Sequence, residues 1–413
     1  MLNVILKTWK ANNLLQTGII YGGEFHPPFK SLIMNITVCD SLSTVNPPDW
    51  NQLVGNDNPF ARHEFLYAME KHGAVGEEFG WIPQYLLAYQ DEILIGAIPM
   101  YLKDNSYGEF VFDWAWADAY ARNGLNYYPK LVVSIPYTPA TGNRLFMHPE
   151  YDQNKIANAL INHALLHAQK LGVSSLHWLF TDEGNTQYLK QHPDFLMRMG
   201  CQFHWHNYNY RNFDDFLESM RSSKRKKIRR ERKHVHEQNI NLSVLTGNEI
   251  SEQQWDVYHR FYTSTFARKS GIATFTKSFF QEIGETMPEN IVMVMADYNK
   301  QYVASAFNLR GTQSLFGRHW GSLAEFNSLH FEACYYQGLE YAIENRLQRF
   351  EPGAQGEHKI SRGFLPTATW SAHWIADPKF REVISQFLQH ETRGMQHYIS
   401  ELTEHSPFKK QDE

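Results

Sequence analysis

Glu357, His358, Lys359 and Arg362, with Gln355 just before them, set an acid, a titratable imidazole, two cations and an amide within eight residues. The stretch from Phe350 to Phe364 that carries them is punctuated by Gly353, Gly356 and Gly363, so it reads as a loop whose backbone turns through positive φ or comes close to a neighbour. A second carboxylate, Glu332, opens a helical pattern from Phe331 to Ile343, with His330 before it and Tyr335 and Tyr336 one turn on. Its negative charge suits the positive end of a helix. If the loop folds over that helix start, Glu332, Glu357 and His358 converge. A carboxylate that orients a neutral imidazole makes a general base for an ammonium group, because the imidazole titrates near neutrality. Lys359 and Arg362 then bind a carboxylate or phosphate, with Gln355, Tyr335 and Tyr336 as further substrate contacts.

Other chemistry-bearing groups lie upstream. Arg318 and His319 beside Trp320 sit uneasily in a strand core and are expected to line a cleft, as are Asp118 and Tyr120. Trp114 and Trp116 alternate along an apparent strand from Phe110 to Trp116 and are expected in the core. Thr138, Gly142 and Arg144 fall between an apolar strand, 131–135, and a helix from Lys155. In that place they could cradle a pyrophosphate. Between Arg221 and Lys233 nine residues are Lys or Arg against one Glu, and Ile228 alone is apolar, so a helix there is basic nearly all round. Lys224, Arg225, Lys227, Arg229 and Arg230 are the candidate polyanion contacts, whose affinity would fall with salt.

Two similar runs of elements must position these groups. Tyr85 to Tyr101 reads as a β-hairpin, and the shape returns from Ile291 to Phe307. Each hairpin leads to an aromatic strand, 110–116 or 314–320, then to a helix, 155–170 or 331–343, and then to two further strands. The pattern predicts two copies of one mixed α/β unit. The expected division is a loose extension over 1–33, a first copy over 34–210, the basic helix within 211–240, a second copy over 241–395 and a polar tail over 396–413. The boundary is placed near 207–213.

Composition fits this plan. At 413 residues the chain exceeds one typical core. Its net charge of −5 argues against polyanion binding by the surface as a whole, so such binding needs a local patch. Cys39, Cys201 and Cys334 show neither disulfide nor zinc spacing, and no metal is expected. No run of about 18 apolar residues marks a membrane span, and a cytoplasmic protein is the default reading.

The order of elements resembles the GNAT acyltransferase fold in tandem. The region from Asn58 to Trp374 is similar to the FemAB-like family, on the motifs 58–60, 116–120, 127–130, 136–139, 329–336 and the loop 353–364. The basic helix is similar to one found in Fem peptidyltransferases, which use aminoacyl-tRNA, although no pair of heptad-bearing helices is evident here. The resemblance implies an N-acyltransferase that forms an amide between an activated acyl or aminoacyl donor and a small-molecule or peptide amine. The donor is a co-substrate, with no tightly bound cofactor. Acyl-CoA is the favoured donor, aminoacyl-tRNA acting on cell-wall precursors the alternative. A non-catalytic RNA- or ligand-binding module is the remaining reading.

Overall fold

A computed structural model describes residues 34–269, 271–354 and 356–409. In chain order the strands are β1 (Asn35–Cys39), β2 (Trp81–Pro83), β3 (Tyr85–Gln90), β4 (Ile93–Ile98), β5 (Met100–Lys103), β6 (Lys130–Val133), β7 (Phe146–Met147) and β8 (Ser175–Thr181). There follow β9 (Leu196–His206), β10 (Ile240–Thr246), β11 (Ile291–Tyr298), β12 (Gln301–Arg310), β13 (Ser314–Ser322), β14 (Arg349–Glu351) and β15 (Leu365–Ile375). The expected extension over 1–33 lies outside the described residues.

The first unit comprises residues up to Gly55, Val75–Arg198 and Trp370–His390. It holds a sheet in the order β1-β3-β4-β7 and a run β2-β5-β6-β8-β15. Between β7 and β8 the helix Gln153–Leu171 starts where the Asp152 carboxylate accepts from the Lys155 N–H and stops at Gly172 in the left-handed conformation. Its apolar stripe, Ile156, Leu160, Ile161, Ala164 and Ala168, is buried among strand residues such as Leu86, Ile95 and Leu131. A Cβ on Gly96 would stand 2.6 Å from the Ile156 side chain, so the glycine sets how closely helix and sheet approach.

The second unit comprises Asn56–Ala74, Met199–Thr369 and the residues from Glu391. Its strands run β10-β11-β12-β13-β14-β9. The first four are antiparallel, β14 joins β13 in parallel, and β9 closes antiparallel with Arg349 opposite His206. The helix Glu252–Arg268 presses so closely on β13 that a Cβ at Gly321 would sit 2.4 Å from the Phe261 carbonyl oxygen.

Both hairpins, both long helices and the strands after them form where the sequence places them. Four expectations change. The expected contiguous copies are not contiguous units: β9, last in the first sequence copy, pairs with β14 inside the second unit, and β15 pairs with β8 inside the first. Period-two patterning marks a strand but not its partner, which long-range hydrogen bonding selects. Residues 110–116 form no strand. Buried Lys130 holds Glu109 and Asp113, the chain turns through Phe110 at φ 61°, and a helix runs Trp114–Arg122. Trp116 is buried there, but Trp114 is 43% exposed rather than core.

The basic helix expected within 211–240 is two helices, Phe213–Ser219 and Ser222–Glu237, broken where buried Met220 bridges Phe408. The expected polar tail is largely helix, since Pro378–Glu404 is continuous and Leu402 is buried. Among the described residues no helix is long and apolar enough to cross a membrane.

Candidate functional site

The loop after β14 becomes a tight helical turn, Glu357–Arg362, in the second unit. Gly356 at φ 116° precedes it and Gly363 at φ 97° follows, as the spacing of glycines predicts. Gly356 also leaves room for the His358 ring where it stands, because a Cβ there would lie 2.4 Å from it. Lys359 and Arg362 are each only 2% exposed, whereas His358 presents its ring to solvent.

Facing this turn, the helix that starts at Leu329 widens into a π turn over Glu332–Tyr336 before continuing as Gln337–Glu344. The π turn lets consecutive tyrosines serve the loop together. The Tyr335 hydroxyl lies 2.9 Å from His358 Nε2, and the Tyr336 hydroxyl accepts from Arg362 Nε at 3.0 Å while bonding Glu231. Arg362 also donates to Glu231 at 2.7 Å and to the His358 carbonyl at 2.8 Å, and its guanidinium lies 3.4 Å from the centre of the Phe331 ring. The cation thus fixes the backbone of the residue it follows by one turn.

Electrostatics keep this region cationic and its imidazoles neutral. Burial, then the charges of Arg362, Lys359 and Lys227, hold the His358 pKa below the ordinary histidine value. Burial pushes His330, whose ring stands 5.5 Å from Tyr335, down to about 4. Lys359 Nζ donates to the Gly353 carbonyl at 2.6 Å, and among the described residues no carboxylate pairs with it. Burial brings its pKa down to about 8. His330 also forms part of the wall of a cavity of about 380 Å³ with Trp320, Phe326, Arg268, Lys269 and Glu325.

The basic helix Ser222–Glu237 adjoins this cluster. Ile228, Glu231 and Val235 form its narrow buried stripe. Arg229 and Arg230 are exposed, while Lys224, Arg225 and Lys227 are half-buried. Arg232 clamps the helix to Glu332 at 3.1 Å and Glu340 at 2.8 Å.

The structure therefore brings His358, Lys359, Arg362, Tyr335 and Tyr336 together but not the expected carboxylate–imidazole base. Glu332 is 3% exposed and bound to Arg232 and Gln337; burial raises its pKa and Arg232 opposes the rise. Glu357 accepts from the Tyr398 hydroxyl at 2.7 Å. Gln355 lies outside the described residues. Trp320 lines the cavity. His319 instead packs in an aromatic cage, 4.9 Å from the Tyr262 ring, and Arg318 lies 5.5 Å from the Phe60 ring with burial bringing its pKa down to about 10.

The expected pyrophosphate cradle is otherwise engaged. Arg144 is fully buried, and its Nε and terminal nitrogens donate to the carbonyls of Leu179, Asn143 and Ala140. Thr138 bonds the Pro136 carbonyl, and the Gly142 N–H donates to the Phe180 carbonyl. Asp118 pairs on the surface with Arg122, while Tyr120 packs 4.0 Å from Phe380 in the core of the first unit.

Sequence reasoning missed a buried chain in that unit. Lys130 Nζ donates to Glu109 at 2.8 Å and also to Asp113. The Tyr127 hydroxyl joins Asp113 to His177, whose Nδ1 is 2.7 Å from His373 Nδ1. A lysine opening the otherwise apolar run 130–133 was the available signal.

These two mixed units, each with its hairpin and core helix, define a tandem GNAT-like fold. The chain belongs to the FemAB-like family, described as peptidoglycan biosynthesis/recognition, whose model matches residues 41–410, and it is a transferase. Among solved structures it is similar to L-PGS from Bacillus licheniformis, at 9% identity over 83% of this chain and 97% of that one, with a TM-score of 0.50. That likeness concerns the fold. FemX aligns at 12% identity over 83% and 98% of the two chains with a TM-score of 0.49. A tandem GNAT protein from the clavulanic acid pathway aligns at 11% over 84% and 99%, with a TM-score of 0.42. A search of curated proteins returned no significant match.

Proposed function

We propose that this protein transfers an acyl or aminoacyl group to an amine at the His358–Tyr335 edge of the second unit, and that the donor is an aminoacyl-tRNA held by the basic helix. The observation that carries the reading is the ion pair from Glu231, on the basic helix, to Arg362, in the turn that holds His358. A polyanion-binding element and an accessible neutral imidazole are thereby built on one another. Acyl-CoA, the donor favoured by sequence, loses its main support because Arg144 is spent on backbone carbonyls. The family description supports a peptidoglycan precursor as the source of the amine, and a charged tRNA places the reaction in the cytoplasm.

In the transfer the amine nitrogen forms a bond to the acyl carbon and the ester C–O bond breaks. The nitrogen's proton passes to the neutral His358 imidazole, and the imidazolium so formed returns it to the leaving oxygen. The buried cation of Lys359 favours negative charge nearby, as the tetrahedral oxyanion requires. Of the groups expected to act as base, Glu332 is buried against Arg232 and Glu357 accepts from the Tyr398 hydroxyl, which leaves the exposed His358 for the role.

Replacing Lys224, Arg225, Lys227, Arg229 and Arg230 by glutamine should abolish salt-sensitive tRNA retention in a filter-binding assay and flatten its salt slope. Thermal stabilisation by coenzyme A, unchanged in that variant and accompanied by no tRNA retention, would overturn the donor assignment.

A further inference from the structure

The cavity beside His330 is chemically uneven, and its walls specify more than a size. Trp320, Phe326 and Leu329 give it an apolar lining. Arg268 closes the helix Glu252–Arg268 and Lys269 follows it, so two cations stand at one edge, where they also complement the negative end of the helix dipole. One Arg268 nitrogen donates to the Ser322 carbonyl at 3.0 Å. Among the described residues neither Lys269 nor Glu325, the one carboxylate of the lining, has an ion-pair partner. The inner wall is the His330 ring, in edge contact with Trp320 at 5.4 Å and with Tyr335 at 5.5 Å, and Tyr335 bonds His358. An occupant must therefore match an unpaired cation, an unpaired carboxylate and an aromatic floor, one residue away from the imidazole.

We infer that this cavity receives the amine acceptor, and that the acceptor carries an anionic group besides its amine. The anion, a carboxylate or a phosphate, docks on Arg268 and Lys269; the apolar body lies on Trp320 and Phe326; Glu325 draws in the ammonium. The inference rests on the transferase reading of the same site. A simple uncharged-tail amine would leave both cations unmatched, whereas charge-assisted bonds to them distinguish the two kinds of acceptor strongly. A cavity of about 380 Å³ suits one dipeptide-sized segment, free or at the end of a longer molecule.

The test is equilibrium binding without any donor, on the full chain, by calorimetry. The probes are the dipeptide L-lysyl-L-phenylalanine and its C-terminal amide for the carboxylate, with O-phosphoethanolamine and ethanolamine for the phosphate. At least one anionic probe should bind about tenfold or more tightly than its uncharged counterpart. Which pair shows the gap identifies the anion. Arg268→Gln with Lys269→Gln should erase the gap, and Glu325→Gln should weaken every amine probe, with thermal midpoints unchanged for these surface positions. Equal affinities within both pairs, or no saturable binding by any probe, would overturn the inference. His358→Ala separates it from the transferase reading: that variant should still bind the anionic probe. If His358→Ala also left amide formation intact, the base assignment would fall while the cavity assignment stood.

Discussion

At the scale of single residues, two titrations should bracket activity. His358 acts as its neutral imidazole, and burial with three neighbouring cations lowers its pKa. The rate should therefore rise with pH through a value below the ordinary histidine range of about 6.5. Lys359 acts as its cation and loses its proton through about 8, so the rate should fall there. Lys359→Arg keeps the charge at all accessible pH values, and in it the alkaline limb of the kcat/KM profile should vanish; an unmoved limb would exclude Lys359 as its origin. His358→Ala should cost about 10²- to 10⁴-fold in kcat with the fold intact. Glu357→Gln should cost little, since that carboxylate is turned to Tyr398. The loop's importance was legible from its glycines and its density of polar groups. The partners of its acids were not, because Arg232 and Tyr398 are 100 and 41 residues away from Glu332 and Glu357.

At the scale of elements, a turn, a π-widened helix and a basic helix meet through the Glu231–Arg362–Tyr336 triad. Arg362 is 2% exposed, so removing its acid leaves a buried uncompensated cation. Glu231→Gln should destabilise the protein by about 3 kcal/mol, little affected by salt, whereas the double variant Glu231→Leu with Arg362→Met should recover much of that loss. Urea unfolding of the singles and the double measures the coupling, and strict additivity would remove the triad from this role. The double variant should regain stability but not activity, since Arg362 no longer holds the His358 carbonyl. The helix's basic character was plain from nine cations within 221–233. Its one buried acid, Glu231, looked like an exception to the charge run and is instead the residue that ties the run to the site. The π turn left no signal, since its residues keep helical patterning.

At the scale of the whole molecule, the strands were legible by their period and the units were not. β9 and β15 look like the closing strands of their own sequence copies, and only hydrogen bonding shows that each belongs to the sheet of the other unit. Both units share a reserve of buried neutral imidazoles: burial lowers His167 to about 4, His177 to about 3, His330 to about 4, and His204, His319 and His373 well below the ordinary value. Unfolding frees each to take up a proton below about 6.5. Between that pH and about 4 the unfolded chain binds more protons than the folded one, so stability must fall as pH falls through this window. Glu109, which burial lifts to about 7 against Lys130, and Glu332, also raised by burial, have the opposite sign: each is less favourable as pH rises above its ordinary range. The six imidazoles outnumber the two carboxyls, so the net effect follows the imidazoles. The thermal midpoint should therefore climb from pH 4 to pH 6.5, and His177→Gln, which removes a titrating ring from the first unit, should make the climb shallower. A midpoint that is flat or falling across that window would mean that the imidazoles charge within the folded protein.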